Sequence, residues 1–308
     1  MKINKFEKIE RGRVSLLDEI LGQPFPVLDD GFIRVVDYMG SDESIVQAAR
    51  VSYGKGTKKI SEDKGLIRYL MRHQHSTPFE MCEIKFHIRV PMDCWRQWIR
   101  HRTANVNEYS TRYSIAIDSA QKTKKDEWRL QSAINKQGSS EFLAENIGDD
   151  ISQKEEQLHK DIWQAYEQRI NYGIAKEQAR KDLPLSTYTE AYWKIDLHNL
   201  FHFLKLRMDS HAQLEIRKYA DVIGNEIVKK WCPIAWSAFD DYQLNNIQLS
   251  KIEATILSLI INKQNKEEII QYLKSVGFLG TEGEMKKNRE REELENKLIK
   301  LNVVIPWL

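Results

Sequence analysis

Cysteine is scarce in this sequence of 308 residues, and the little that is present excludes two common kinds of small fold. The three cysteines, Cys82, Cys94 and Cys232, form no CxxC pair, so neither a disulfide framework nor a zinc knuckle is indicated. No apolar run approaches the ~20 residues of a membrane span, and the first residues lack a signal-peptide core. A net charge of +2 is too small to predict a partner that is a nucleic-acid polymer. We therefore expect a cytoplasmic protein with no membrane and no nucleic-acid polymer among its partners.

Hydrophobic periodicity predicts a mixture of strands and helices. In the clearest strand, 83–90, apolar and polar residues alternate with a period of two. The predicted strands are 32–36, 83–90 and 187–195. The predicted helices are 41–51, 62–73, 91–99, 157–183, 197–208 and 212–231. The polar stretch over about 118–155 is expected to be a long loop or insertion.

The helix predicted over 91–99 matters because a cluster of charged residues follows it. Pro91 suits its first turn, and three large apolar side chains, Trp95, Trp98 and Ile99, are expected to face the core. Gln97 precedes Arg100 and His101 by three and four residues, so these three are expected to share another face.

The run from residue 100 to 114 concentrates groups that bind anions. It contains three arginines, a histidine, a carboxylate and a serine, namely Arg100, Arg102, Arg112, His101, Glu108 and Ser110. Arginine forks match the geometry of phosphate, and the interleaved Tyr109 and Tyr113 are typical of a pocket wall that stacks on a flat ring. The run therefore predicts a site for a phosphorylated ligand.

A second polar cluster lies about a hundred residues downstream. His198 and His202 are four residues apart on one helical face, and Arg207 stands among apolar residues. Because an unpaired buried charge is costly, Arg207 is expected either to bind a ligand or to pair in the core with Asp209 or Glu215. Metal-ligand spacing at His198 and His202, and at His73 and His75, leaves a metal-dependent hydrolase as an alternative, although Asn199 stands where HExxH has glutamate. A non-catalytic nucleic-acid-binding module that uses the 100–112 patch is the other alternative.

Both clusters resemble those of one enzyme family. Arg100-His101-Arg102 followed by seven residues and Ser110 is similar to the RHR-x7-S signature of flavin-dependent thymidylate synthases. The stretch 206–216, from Leu206-Arg207 through His211-Ala212-Gln213 to Glu215-Ile216, resembles a second signature of that family. Further matches occur at 75–80, 96–98 and 179–184, so the resemblance covers about 32–240.

The resemblance implies an α+β fold with a mixed or antiparallel central sheet flanked by helices, assembled as a homotetramer that binds FAD between subunits. It implies methylation of dUMP to dTMP, with 5,10-methylenetetrahydrofolate as carbon donor and NADPH as reductant, and without a covalent adduct between enzyme and nucleotide. The catalytic domain is expected over 32–245, after an N-terminal extension over 1–31 and before a helical C-terminal extension over 246–308. The charged end of that extension is expected to be a solvated helix without a catalytic role, or one that packs on a neighbouring subunit.

The resemblance also implies roles for individual residues. Arg207 is the expected catalytic residue, because its counterpart polarises and ionises the uracil ring. The residues expected to hold dUMP are Gln97, Arg100, Glu108, Tyr109, Ser110, Thr111, Arg112, Arg180 and Arg207. The residues expected to contact FAD are His75, Thr77, Arg100, His101, Arg102, Glu108, Asp196, His198, His202 and His211. No metal is expected.

Two departures and two alternatives accompany these roles. The family often has asparagine, arginine and asparagine where this chain has Asp196, His198 and His202, and often Ser-Gly-Arg where it has 110–112. Serine is inert without a positioned base, so Ser110 is expected to bind the nucleotide; a nucleophilic role is the alternative. Cys82 and Cys94 are expected to be core residues.

Overall fold

The computed structural model describes residues 11–51, 60–132 and 138–308, so the first ten residues of the expected N-terminal extension lie outside it. The fold is α+β, as predicted. Five strands form the main sheet in the order β1-β2-β3-β7-β4, and all neighbouring pairs are antiparallel. Helices flank this sheet.

The strands are β1 (Phe25–Val27), β2 (Gly31–Met39), β3 (Glu83–Pro91), β4 (Asn105–Glu108), β5 (Arg129–Gln131), β6 (Ser139–Phe142) and β7 (Tyr188–Asp196). The helices are α1 (Ser15–Asp18), α2 (Asp42–Val51), α3 (Ile60–Arg72), α4 (Thr77–Glu80), α5 (Met92–Trp98), α6 (Glu145–Asn171), α7 (Lys176–Ala179), α8 (Leu197–Arg207), α9 (Leu214–Val222), α10 (Lys229–Trp231), α11 (Pro233–Phe239), α12 (Lys251–Ile261), α13 (Lys266–Ser275) and α14 (Arg289–Lys300). A 3₁₀ turn covers Arg180–Asp182, and π-helical segments cover Ile223–Val228 and Asp240–Leu244.

The centre of the sheet follows from the alternation in β3. Side chains of β3 are alternately half-buried and buried along the strand, as a period of two requires. On the buried face Phe86 stacks on Trp193 of β7, with ring centroids 5.7 Å apart. Trp193 in turn meets Trp98 of α5 at 5.1 Å and Phe203 of α8 at 5.1 Å. The aromatic core therefore fixes α5 and α8 against the same face of the sheet.

Both of these helices start directly from a strand end. Pro91 is the N-cap residue of α5. Asp196 caps α8, because its side chain accepts a hydrogen bond of 2.9 Å from the backbone N–H of Asn199. Trp95 and Trp98 are buried as expected, whereas Ile99 is 43% exposed. The expectation that Ile99 faces the core was wrong, because Ile99 is the C-cap residue at the exposed end of α5.

The stretch predicted as a loop over 118–155 contains β5 and β6, and α6 begins at Glu145 rather than near Gln157. The polar composition of this stretch gave no indication of the first turn of α6, in which Gly148 is buried against the backbone of Lys125. The helix also ends earlier than predicted. Gly173 has a φ of +75°, and the N–H groups of Gly173 and Ile174 close the helix end onto Ile170 and Arg169. This glycine, rather than Pro184, terminates α6.

The chain divides into two compact units, residues 1–244 and 245–308. The expected boundary at residue 32 falls inside the first unit, because β1 pairs with β2 in the main sheet. The second unit has its own apolar core, to which α12, α13 and α14 contribute Ile256, Leu273 and Leu294. The charged segment over 282–301 was expected to be a solvated helix; α14 instead buries Leu294 and Leu298 completely and leaves Arg291 only 5% exposed.

Within the ranges that the structure describes, no helix is long and apolar enough to cross a membrane.

Candidate active site

The loop that follows α5, the end of β7 and one side of α8 line a pocket with a volume of about 320 Å³. The aromatic core holds both helices against the same face of the sheet, and polar residues that follow α5 meet polar residues of α8 in this pocket. The pocket is lined by Arg100, His101, Arg102, Thr103, Ile195, Asn199, His202, Leu206 and Arg207. The structure thus brings five of the predicted site residues together. The predicted shared helical face of Gln97, Arg100 and His101 was wrong, because α5 ends before the last two.

Arg207 connects the two clusters that the sequence separates by about a hundred residues. Its Nε donates to His101 Nε2 at 3.2 Å, and one of its terminal nitrogens donates to the backbone oxygen of Gln97 at 3.2 Å. Both acceptors are neutral, so these bonds orient the guanidinium without cancelling its charge. Glu215, one of the two predicted core partners, is bonded instead to Arg129 at 2.7 Å. Partial burial lowers the pKa of Arg207.

His101 is held as a neutral acceptor beside Arg207. Burial, together with the positive charge of Arg207 and the neighbouring His202, lowers the pKa of His101 to about 4. Because Nε2 accepts a hydrogen bond from Arg207, the ring proton is on Nδ1. The His101 ring lies edge-on to His202, with centroids 5.7 Å apart. Both histidines therefore border the pocket, and His101 adds no charge to it at neutral pH.

A second group of predicted residues lies along and beyond β4, the edge strand of the sheet. Glu108 accepts a hydrogen bond of 2.9 Å from Thr189, and with Tyr109 it lines a second pocket of about 320 Å³. Arg180 donates to the hydroxyl of Thr111 at 2.6 Å, which brings the 3₁₀ turn over Arg180–Asp182 to the run 100–114.

Ser110 and Arg112, the neighbours of Thr111 in that run, have different partners. The backbone oxygen of Ser110 accepts hydrogen bonds from Tyr113 and Ser114, so Ser110 begins a tight turn. In the described parts of the chain, Ser110 Oγ has no hydrogen bond to a histidine. Arg112 is exposed and lies 5.5 Å from the centroid of the Tyr113 ring. The turn leaves the Arg112 guanidinium accessible to an anion.

The remaining predicted flavin residues line neither of these two pockets. His75 is exposed and tilted against Tyr69 at 5.9 Å, and Thr77 is the exposed first residue of α4. The Asp196 carboxylate caps α8 and also accepts from the Asn199 side chain at 2.7 Å. His198 is half-buried, and His211 is exposed with its Nδ1 2.8 Å from Asp209.

Other reactive groups lie in the core. Cys82, Cys94 and Cys232 are all buried, and burial raises the pKa of Cys94 and of Cys232. These two thiols are therefore poor nucleophiles. No group of three or more potential metal ligands occurs among the residues that the structure describes.

Three residues near the pocket received no role from the sequence. Asn199 lines the pocket, Gln213 accepts a hydrogen bond from the side chain of Gln97, and Asp93 accepts one from Gln213. Gln213 stands within the second signature, which was the available indication. Asp93 lies on α5, outside any of the signatures, so the sequence gave no indication of it.

Comparisons with known proteins identify relatives of this chain. The family described as "Thymidylate synthase complementing protein" matches residues 34–234. A flavin-dependent thymidylate synthase of Wolbachia pipientis wMel is 53% identical over 259 residues, which cover 84% of this chain and 91% of the relative. A flavin-dependent thymidylate synthase of Gluconobacter oxydans is 52% identical over 267 residues, which cover 85% and 86%.

Solved structures give the same result. A UMP/dUMP methylase, PolB, from Streptomyces cacaoi, bound with 5-Br dUMP, superposes with a TM-score of 0.65 and 29% identity. The match covers 71% of this chain and 99% of the methylase. The α+β fold is thus shared with a methylase of pyrimidine nucleotides. The chain belongs to the family of flavin-dependent thymidylate synthases.

Proposed function

We propose that this protein converts dUMP to dTMP, with 5,10-methylenetetrahydrofolate as carbon donor, NADPH as reductant and FAD as bound cofactor. The observation that carries the proposal is Arg207, whose guanidinium is held at the pocket by two neutral acceptors. Its charge stays available for a ligand, and the curated relatives and the solved methylases act in the same chemical class.

Arg207 is the catalytic residue of this proposal. Methylation at C5 of uracil requires extra electron density at that carbon, and negative charge then develops on the ring. A fixed guanidinium at the O2/N3 edge stabilises that charge without reorganisation and without a covalent adduct. Partial burial strengthens the effect, because charges interact more strongly where water is excluded.

The residues around the run 100–112 hold the nucleotide in this proposal. Arg112 and Ser110 suit its phosphate as charge and hydroxyl donor, and Arg180, fixed by Thr111, adds a second guanidinium. The other positions assigned to dUMP are Gln97, Arg100, Glu108, Tyr109 and Thr111. The exposed turn after β4 allows these donors to close around a phosphate.

The chemistry of the first pocket fits FAD. Arg100 and Arg102 are exposed guanidinium groups, which match a diphosphate, and Asn199 and His202 supply polar groups for a ring edge. The further positions assigned to the flavin are His75, Thr77, His101, Glu108, Asp196, His198 and His211. When bound, FAD supplies the hydride chemistry that transfers reducing equivalents from NADPH.

The assembly that we propose is a homotetramer that binds FAD between subunits, in the cytoplasm. In one chain β4 is an edge strand with all four residues exposed, and Val106 and Tyr109 are 46% and 40% exposed. Such an edge with apolar side chains is a favourable contact surface for another copy. Light scattering is expected to give the mass of four 36.3 kDa chains.

The direct test uses the purified protein. We expect flavin absorbance, its bleaching by NADPH, and formation of dTMP that requires dUMP and methylenetetrahydrofolate together. Tight binding of free dUMP that changes little with salt would argue against the nucleic-acid-binding alternative, whose affinity falls steeply with salt. A colourless protein that forms no dTMP when FAD is supplied would refute the proposal.

A further inference from the structure

Tyr166 of α6 fixes the segment that follows the run 100–114. Its buried side chain accepts a hydrogen bond of 2.9 Å from the backbone N–H of Ala116, which is itself 5% exposed. Lys176 of α7 adds a second contact, since its ammonium group donates to the backbone oxygen of Tyr113 at 2.8 Å. Loss of the Tyr166 hydroxyl would leave the buried N–H of Ala116 without a partner, which is costly. Side chains of α6 and α7 therefore hold the end of the run.

Arg169 lies about one helical turn after Tyr166 and holds the 3₁₀ turn that carries Arg180. Its guanidinium donates to the backbone oxygen of Ala179 at 3.1 Å and pairs with the Asp182 carboxylate at 2.5 Å. These two contacts lie on either side of Arg180 in the chain. A 3₁₀ turn of three residues has few hydrogen bonds of its own, so its direction depends on contacts such as these.

The ion pair with Arg169 also decides which charge stays available. Asp182 is two residues from Arg180 and would cancel part of its charge if the carboxylate turned toward it. Within the described parts of the chain, no carboxylate forms an ion pair with Arg180, whose guanidinium donates instead to the neutral Thr111 hydroxyl at 2.6 Å. Arg169 therefore occupies the Asp182 carboxylate and leaves the positive charge of Arg180 uncompensated.

A small apolar cluster supports these contacts. Ala116, Tyr166 and Ala179 are buried together, and the partly buried side chains around them are Trp163, Ile170 and Leu183. The three buried residues come from the end of the run, from α6 and from α7. Burial of apolar surface thus holds together three segments that are far apart in the sequence.

We propose that Tyr166 and Arg169 are positioning residues for the phosphate group of the nucleotide. This inference rests on the proposed function, in which Arg180, Arg112 and Ser110 bind that phosphate. One face of α6 fixes both the turn that carries Arg180 and the end of the run that carries the other two donors. A phosphate that meets fixed donors binds more tightly than one that must first order them.

The inference separates the phosphate from the base. In the proposed function Arg207, on α8, acts on the uracil ring, whereas α6 holds the donors for the phosphate. Deoxyuridine has the same base and sugar as dUMP but lacks the phosphate. Loss of the contacts from α6 should therefore weaken the binding of dUMP and leave that of deoxyuridine unchanged. A general loss of structure would weaken both.

The test replaces Arg169, because Arg169→Met removes both contacts of the guanidinium and keeps a long side chain. In the purified flavin-loaded protein, we expect the Kd for dUMP to rise about tenfold, the scale of one hydrogen bond to a charged group, and the Kd for deoxyuridine to stay within about twofold. Calorimetric titration measures both. In steady-state kinetics, KM for dUMP should rise while kcat at saturating dUMP stays within about threefold of the wild type. Arg169→Lys, which keeps the charge but not the fork, should recover part of the affinity.

Arg68→Met is the matched control. Arg68 pairs with Asp241 at 2.7 Å, and these two side chains are 26% and 48% exposed, against 29% and 52% for Arg169 and Asp182. Arg68 has no assigned role in the site, so both affinities should equal those of the wild type. If Arg169→Met does not fold, Tyr166→Phe removes a single hydroxyl and should show the same selective loss for dUMP.

Two results would overturn the inference and leave the proposed function intact. One is an unchanged affinity for dUMP in a folded, flavin-loaded variant, and the other is an equal loss of affinity for dUMP and deoxyuridine. A fall in kcat at saturating dUMP with an unchanged KM would also count against a role at the phosphate. Failure of the wild type to bind dUMP overturns the proposed function itself.

Discussion

At the scale of single residues, Arg207 shows how a charged group can be fixed without being neutralised. A carboxylate partner would hold it more strongly but would cancel the charge that a ligand needs. The structure instead gives it a histidine ring and a backbone oxygen. Hydrogen bonds to these two neutral groups therefore hold the guanidinium in place and leave its positive charge uncompensated.

Replacement of Arg207 tests its role directly. We expect Arg207→Ala to lower dTMP formation by about 100-fold or more, the scale of losing a charge-stabilising donor, while flavin content and tetramer mass stay near those of the wild type. Dissolved dTMP is measured by chromatography with mass detection. Activity close to wild type would remove Arg207 from the mechanism.

Ser110, in the run 100–114, gives a second prediction. Its hydroxyl has no hydrogen bond to a histidine in the described ranges, so we expect Ser110→Ala to retain measurable turnover, with the main effect on KM for dUMP. Steady-state kinetics checks this. Complete loss of turnover with unchanged dUMP affinity would revive the nucleophile alternative.

The neutral state of His101 predicts a pH effect on stability. Its pKa is about 4 in the folded chain and 6.5 ordinarily, so between these values the unfolded chain binds more protons. Stability linked to His101 is therefore lost as the pH falls from 6.5 toward 4 and is unaffected above that range. His101→Gln keeps an acceptor for Arg207 but does not titrate. Urea unfolding at about pH 7 and about pH 5 should show a smaller acid-induced loss in this variant than in the wild type; equal losses would contradict the assignment.

At the scale of secondary-structure elements, the π-helical segment that joins α9 to α10 stands out. Gly224 lies in it, and a Cβ added there would come within 2.7 Å of the Trp236 ring and 3.1 Å of the Met208 sulfur. Met208 directly follows Arg207, so the close approach supports the end of the helix that carries Arg207. π-helical segments of this kind often accompany functional sites.

Gly224→Ala is therefore expected to destabilise the protein by about 1–3 kcal/mol through overpacking. The matched control is Gly65→Ala in α3, where nothing lies within 4 Å of an added Cβ and a helical alanine is expected to stabilise by about 0.5–1 kcal/mol. Chemical denaturation measures both changes. If Gly224→Ala leaves the stability unchanged, or changes it as Gly65→Ala does, the Trp236 ring and the Met208 sulfur move aside freely.

At the scale of the whole molecule, the unit over 245–308 is a small compact unit with its own apolar core. A hydrogen bond of 2.7 Å from Lys297 to Glu253 connects α14 to α12, and burial does not prevent the Glu253 pKa from being lowered, because Lys297 and Ser250 stabilise its charge. None of the residues assigned to dUMP or FAD lies in this unit.

Removal of this unit tests whether catalysis depends on it. We expect a chain that ends at residue 244 to fold and to form dTMP with kcat within about threefold of the full-length value, because the assigned site lies in the first unit. Activity and mass are measured side by side with the full chain. Loss of activity in a folded, flavin-loaded truncated protein would assign the second unit a catalytic or assembly role.

The sequence by itself determined much of the main fold and the family. Local patterns can be recognised in consecutive residues of the sequence. They include the period-two alternation of β3, the apolar faces of α3 and α8 and the two signatures. The sequence also named Arg207 as a candidate, since an arginine among apolar residues requires a ligand or a partner.

Tertiary structure alone decided which partners Arg207 and Gln97 have. Both depend on residues far apart in the chain: His101 meets Arg207, and Gln213 meets Asp93 and Gln97, because a shared aromatic core holds α5, α8 and α9 together. It also decided that the charged tail segment is partly buried, since charge density does not reveal that every third or fourth residue of α14 packs inward. Distance in sequence carries no information on such contacts, and the packing of the core creates them.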